Sequence, residues 1–293
     1  MLIRRPDRVN RVWHSFVTDT RSSRLEAVTH YIDPWYELRA RMGVRPADYL
    51  VLDAEVEVMR APGGRDRSTR TALEGLQGAT AYAGIGREIR AATGADPTGL
   101  WAGVLVECAK VLRQARLFVW DRLGIDPAGQ LPLIKRLLIG SCVFYAKPES
   151  IDAVLAPRQL REMTRWDCLF SRHRYCFVEL GEVRGGPAAG VTAGLTDSYH
   201  EMQLRLVVRA GRVAAAAGGV IRAPHQECFG ADPVVGRLRG MSLDDGPREW
   251  ERRLGGRRGC THLADMAREA CASTAYVIGA REGAGVREMG ASP

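Results

Sequence analysis

The sequence predicts an α+β fold of two tandem repeats, each an antiparallel sheet followed by helices, packed as a pseudo-dimer. Three observations predict it. Similar residues recur at a nearly constant offset, strand-like alternation fills the front of each copy, and a long helical stretch closes each copy. In AVTHYIDPWYELRAR (27–41) and GVTAGLTDSYHEMQLR (190–205), Asp33 matches Asp197, Glu37 matches Glu201 and Arg41 matches Arg205, all 164 apart. Further on, Arg60-Ala61-Pro62 matches Arg222-Ala223-Pro224 at 162, and Gly99 matches Gly259 and Ala115 matches Ala275 at 160. An offset that shortens in steps of two is what loop shortening after a duplication produces, and a repeat of this kind sets the fold.

The elements follow in order. A strand precedes each copy, RVWHSFV (11–17) and HRYCFVEL (173–180). Leu38, Ala40 and Met42 alternate with Arg39 and Arg41, and Met202, Leu204 and Leu206 alternate with Gln203 and Arg205, the pattern of half-buried strands. Asp33-Pro34 and Asp197-Ser198 are turn signals that place each Asp near a hairpin tip. The next strands are Leu50–Val58 and VAAAAGGVI (213–221). Short helices are expected at ALEGLQGATAYAG (72–84) and PVVGRLRG (233–240), then long ones at about 100–120 and 261–278. Proline-broken connector helices are expected at 121–138 and 148–163. The domains are therefore drawn at 1–120, 121–165 and 166–280, with a flexible tail over 281–293.

Bulk properties exclude more than they assert. The 293 residues carry a net charge of +8, from 42 basic and 34 acidic side chains, yet only Lys110, Lys135 and Lys147 are lysines. The arginines are scattered and interleaved with acids, so no nucleic-acid partner is expected. No run approaches the ~20 apolar residues of a membrane span, and the start lacks an apolar signal region. Seven cysteines, an odd number, do not read as a disulfide framework. A cytoplasmic protein without a membrane partner is the expectation. With no Gly-x-Gly-x-x-Gly and no Walker loop, no nucleotide cofactor is expected either.

Chemistry is sought where the copies differ. HQECFG (225–230) and GGRRGCTHLADMA (255–267) correspond to GGRDR (63–67) and TGLWAGVLV (98–106) in the first copy, where Leu100 stands for Cys260 and Ala102 for His262. Cys228, Cys260 and His262 thus belong to the second copy alone. Thiolate and imidazole suit zinc or iron, so Cys228, Cys260, His262 and Glu201 are candidate ligands of one metal ion. Cys260, His262 and Glu201 are the candidate catalytic groups. Asp265, one turn past His262, is the expected partner of its second ring nitrogen, and His200 and His225 are reserve ligands. Arg205 and Arg222 are candidate binders of an anionic group on a small-molecule substrate. The hairpin acids Asp33 and Glu37 persist where the cysteines are absent, which argues a partly structural role for Asp197. Cys108, Cys142 and Cys271 read as core, Cys176 as strand core, and His14, His30 and His173 as structural or surface residues.

Residues 171–278 resemble an uncharacterised bacterial family, domain of unknown function 2889. The resemblance rests on SRHRYCFVEL, VTAGLTD, HEMQLRLVV, HQEC and GCTHLADM. The first copy is similar to a degenerate member. More distantly, the order of an acidic hairpin, a Cys after the third strand and a Cys opening a long helix resembles the U-type iron–sulfur scaffold fold. That likeness implies Cys228 and Cys260 as ligands with Glu201 or Asp197 nearby, although its first ligand cysteine has no counterpart near Tyr199. The expected function is a metal-dependent small-molecule enzyme of specialised metabolism or catabolism. The alternatives are a metal or iron–sulfur carrier, a metal-free enzyme in which Cys260, acidified to a partial thiolate by a helix N-terminus, is the nucleophile in acyl transfer or hydrolysis with His262 or His225 as base, and a ligand-binding module. A homodimer is compatible with each.

Overall fold

The structure is a computed structural model that describes residues 7–20, 23–63, 68–82, 84–94, 96, 98–126, 129, 131–147, 149, 168–183 and 186–282. The expected helix at 148–163 and most of the tail fall outside these residues. Where apolar and polar residues alternate, the chain extends. The strands are β1 (Arg8–Asp19), β2 (Leu25–Ile32), β3 (Glu37–Val44), β4 (Val51–Arg60), β5 (Thr69–Ala72), β6 (Cys168–Val183), β7 (Gly186–Asp197), β8 (Glu201–Arg209) and β9 (Arg212–Arg222). The helices are α1 (Gly86–Ala92), α2 (Leu100–Leu123), α3 (Leu131–Leu138), α4 (Pro247–Leu254) and α5 (Thr261–Glu282), with a 3-10 stretch over Gln226–Leu238.

All nine strands join one antiparallel sheet in the order β5-β4-β3-β2-β1-β6-β7-β8-β9. β1 and β6, the strands that open the two halves of the chain, pair at the centre, with Trp13 opposite Arg174 and His14 opposite His173. A two-residue period sends alternate side chains to opposite faces. On one face β1 buries Val9, Arg11, Trp13, Ser15 and Val17, and β6 buries Phe170, Arg172, Arg174, Cys176 and Val178. α2 and α5 cover that face, α2 over β1, β2, β3 and β6, and α5 over β6, β7 and β8. The other face turns Asn10, His14 and His173 to solvent. No helix among the described residues is long and apolar enough to cross a membrane.

Two elements depart from the sequence pattern. In place of a helix over 72–84, Thr69–Ala72 adds an edge strand to β4 and only Glu74–Leu76 turns, as 3-10. The β-branched Thr69 and Thr71 suit an edge strand, and the glycines at 75, 78 and 84 break any helix that follows. The stretch REWERR (248–253), where arginines and acids interleave, lies within α4 and buries Trp250.

Both long helices start after a glycine, for different reasons. Gly99 has φ of 67°, a left-handed conformation that glycine adopts without steric cost. Gly259 is extended, but a Cβ there would collide with the Leu254 carbonyl oxygen. That close approach lets Cys260 N–H bond Leu254 O at 2.7 Å, and Cys260 O accept the Ala264 N–H at 3.0 Å as the first turn of α5 forms.

Candidate functional site

The site is built on the β7–β8 hairpin. Asp197 Oδ1 accepts the backbone N–H groups of Tyr199 (2.8 Å) and His200 (2.7 Å), a side-chain-to-backbone turn typical of Asp. The same oxygen lies 3.1 Å from His200 Nδ1 and holds that nitrogen as the donor. Asp197 Oδ2 accepts Arg172 Nη2 at 2.7 Å and Nε at 3.2 Å. Burial would push the Asp197 carboxyl up, but the His200 hydrogen bond and the Arg172 charge hold it far below the usual carboxylate range. With both oxygens engaged, Asp197 orients its neighbours rather than offering itself.

From α5, the His262 ring reaches the same place, its centroid 4.3 Å from that of His200. Asp197, His200 and His262 are the one group among the described residues whose three ligand atoms all lie within 4.8 Å of one another. His262 is half-buried, and its pKa is lowered to about 3, by desolvation first and then by its position beside His200 and Arg172; it is therefore neutral. Its Nε2 meets Gln114 Nε2 of α2 at 2.7 Å, and its Nδ1 faces Cys260 Sγ at 3.9 Å. Gln114, not Asp265, occupies the second ring nitrogen. Asp265 is instead taken by Lys110 Nζ (2.6 Å) and Arg268 Nη2 (3.1 Å).

A chain of buried ion pairs runs from this hairpin to its counterpart. Arg172 Nη1 meets Glu107 Oε1 (3.4 Å), and Glu107 Oε2 accepts from Arg174 Nη1 (3.0 Å). Arg174 Nη2 lies 3.7 Å from Glu269, which also accepts from Arg11 Nη1 (3.0 Å). Arg11 Nε donates to the Tyr31 hydroxyl (2.8 Å), and that hydroxyl donates to Asp33 Oδ2 (2.6 Å). Trp13 lies between the Arg11 and Arg174 guanidinium groups, each 5.0 Å from its ring centre.

The residues expected from sequence are placed as follows. Cys260 and His262 are brought together, at the start of α5. Cys228, half-buried in the 3-10 stretch, and Glu201, with a side chain 46% exposed and 4.0 Å from Arg222, are not part of the compact group. Arg222 Nη2 donates to the carbonyls of Asp197 (2.9 Å) and His200 (3.1 Å), clamping the hairpin from behind. Arg205 is exposed and alternates with buried Leu204 and Leu206, which puts it on the face away from α5. The Cys260 thiol, expected to be acidified by the helix N-terminus, is pushed up to about 12, because burial outweighs the hydrogen bonds from the Leu263 and His262 amides. Burial likewise raises Cys228 to about 11.

Sequence reasoning held His200 in reserve and did not reach Gln114, Arg172 or Glu107. For His200 the signal was present: Tyr36 stands at the matching offset in the first half, the same kind of difference that singled out Cys260 and His262. Gln114 and Glu107 lie on a helix some 85–95 positions from the hairpin, and no local pattern links them to it.

A family model described as a protein of unknown function (DUF2889) matches residues 186–276, from the start of β7 into α5. All three residues of the compact group and Cys260 fall inside the match; β6, with Arg172 and Arg174, precedes it. No curated protein and no solved structure matches the chain.

Proposed function

We propose that the two halves are tandem repeats packed as a pseudo-dimer, and that the second carries a metal-dependent site acting on a small molecule. In this reading His200 Nε2, His262 Nδ1 and Cys260 Sγ hold one zinc or iron ion. Asp197 orients His200, and Gln114 orients His262 once its amide presents oxygen to the ring N–H. The observation that carries the reading is the compact group of Asp197, His200 and His262, with the Cys260 thiol beside His262. The 3.9 Å between Cys260 Sγ and His262 Nδ1 is near the ~3.6 Å ligand-to-ligand edge that bonds of about 2.3 and 2.0 Å give a tetrahedral ion. Three protein donors leave a fourth position for water or substrate, the arrangement that catalytic ions use. The repeat reading draws on the strand order, in which β1 and β6 meet at the centre and each hairpin Asp recurs with the same turn.

A free thiol at about 12 is a poor nucleophile at neutral pH, which weighs against metal-free cysteine chemistry; a bound ion would deprotonate the thiol outright. A carrier is the second reading, and Cys142 favours it. Val143 N–H bonds Gly259 O at 2.8 Å, setting Cys142 beside the start of α5, where its thiol adds to the upward shift of both Cys228 and Cys260.

Elemental analysis of the purified full chain tests the main reading. An equivalent of zinc or iron is expected that His262→Ala, His200→Ala and Cys260→Ala each lose relative to the parent and Tyr36→Ala keeps. A chain that holds no metal, or one whose metal content none of the three variants lowers, overturns it. An iron–sulfur absorption band that passes to an acceptor protein would select the carrier.

A further inference from the structure

On the open face of the sheet, away from α2 and α5, three histidines stand in one row. His14 of β1 is directly opposite His30 of β2 on one side and directly opposite His173 of β6 on the other. Direct opposition in antiparallel neighbours sets Cβ atoms about 4.5–5.5 Å apart on the same side of the sheet. The burial alternation agrees: the neighbours in sequence, Trp13, Ser15, Thr29, Tyr31, Arg172 and Arg174, are all buried under the helices. The His14 and His173 ring centroids are 6.5 Å apart. The row crosses the central β1–β6 seam, so both halves of the chain contribute to it.

We propose that His14, His30 and His173 form a binding site for one divalent transition-metal ion, distinct from the site at Cys260. A donor set of imidazoles alone selects zinc, nickel, copper or cobalt over magnesium or calcium, which take oxygen. An ion over the middle strand lies about 5 Å to the side of each flanking Cβ, within the span of an imidazole plus a metal–nitrogen bond of about 2.0–2.1 Å. His14 then binds from below and His30 and His173 lean in from the two sides. The leaning requires a change of side-chain torsion, which their positions allow: His173 is exposed and His30 half-buried. Burial and the neighbouring His14 charge already hold His173 below its ordinary pKa; for His30, burial comes first, then Arg39 and His14. The lowered pKa values of His30 and His173 keep their lone pairs available to a cation. With protein donors from one side only, the ion keeps its remaining positions for water or an added ligand.

Cobalt(II) titration of the full-length chain tests this independently of the site on the other face. Thiolate ligation gives an intense near-ultraviolet charge-transfer band, and all-imidazole ligation does not. In Cys260→Ala/His262→Ala the charge-transfer band is absent, yet one equivalent of cobalt or zinc still binds in competition with a chelating indicator. His14→Ala removes that equivalent, while His30→Ala and His173→Ala each weaken it by more than the ~10–100-fold that losing an outer partner costs. Unchanged melting temperatures show that these solvent-facing variants fold. The proposal is overturned if no such equivalent binds, or if it binds to His14→Ala as it does to the parent.

Discussion

The two hairpin tips of this protein share a scaffold and differ in what it presents. Asp33 Oδ1 accepts the Trp35 and Tyr36 amides at 2.7 and 2.6 Å, as Asp197 Oδ1 accepts those of Tyr199 and His200. Behind each tip an arginine clamps backbone carbonyls, Arg60 on Asp33 and Pro34, Arg222 on Asp197 and His200. The remaining Asp oxygen takes a tyrosine hydroxyl in the first half and the Arg172 guanidinium in the second. Only the second tip carries an imidazole, and only there does the facing helix supply another, His262, where the first half has Ala102. The turn chemistry is therefore architectural and the histidines are the addition. A carboxylate found in both halves is poor support for catalysis; a side chain found in one half on the same scaffold is better.

The comparison can be broken at its joint. Glu107 is a fully buried carboxylate shared by Arg172 and Arg174, on the chain of ion pairs that ties the tips together. Glu107→Ala leaves two buried cations short of a partner and should cost about 3–5 kcal/mol in urea unfolding. Arg8→Ala, which breaks a pair whose side chains are 72% and 46% exposed, should cost about 0–1 kcal/mol. Equal losses would mean that the seam is not held by its charges.

The two glycines should fail differently. Gly259→Ala puts a Cβ against the Leu254 carbonyl and should lose about 1–3 kcal/mol; Gly99→Ala strains a left-handed residue and should lose about 1–2 kcal/mol. Asn tolerates the left-handed region, so Gly99→Asn should recover part of the loss and Gly259→Asn none. Thermal melts of the four variants decide this.

Smaller still, Arg60→Ala and Arg222→Ala should each cost about 1 kcal/mol, because each removes hydrogen bonds from a partly exposed guanidinium to carbonyls. If Arg222→Ala abolishes turnover of an anionic substrate without matching Arg60→Ala in stability, Arg222 binds substrate and the likeness of the tips misleads.

Acid gives the smallest and most diagnostic effect. Burial alone would raise Glu107, but Arg174, Lys110 and Arg172 together hold it below its ordinary value of 4.5. A depressed carboxylate stabilises the fold above that value, and the contribution fades as pH falls from there through the folded-state pKa. Between pH 5 and pH 3 the parent should therefore lose stability faster than Glu107→Gln, as read from denaturant midpoints. Parallel loss in both would show that Glu107 is not among the groups being titrated.

Much of this was legible in the sequence because strands and hairpin acids report on themselves. Leu38, Ala40 and Met42, or Met202, Leu204 and Leu206, need only a two-residue period to mark a buried face, and Asp33 and Asp197 need only their own turn. Cys260 and His262 stood out because Leu100 and Ala102 stand at the matching offset in the first half. By itself the sequence determined most of the strands, though not the edge strand β5, together with the hairpins, the long helices and the start of α5 as a place of interest. Only the tertiary structure decided which side chains meet there. Gln114 and Glu107 reach the site from a helix remote in sequence, as His262 reaches His200 across about sixty residues. Burial, which no local pattern encodes, turned Cys260 from an expected thiolate into a thiol and paired the arginines of the seam. The physical reason is that a period fixes the direction of a side chain along its own element, whereas proximity and dielectric are set by the packing of elements on one another.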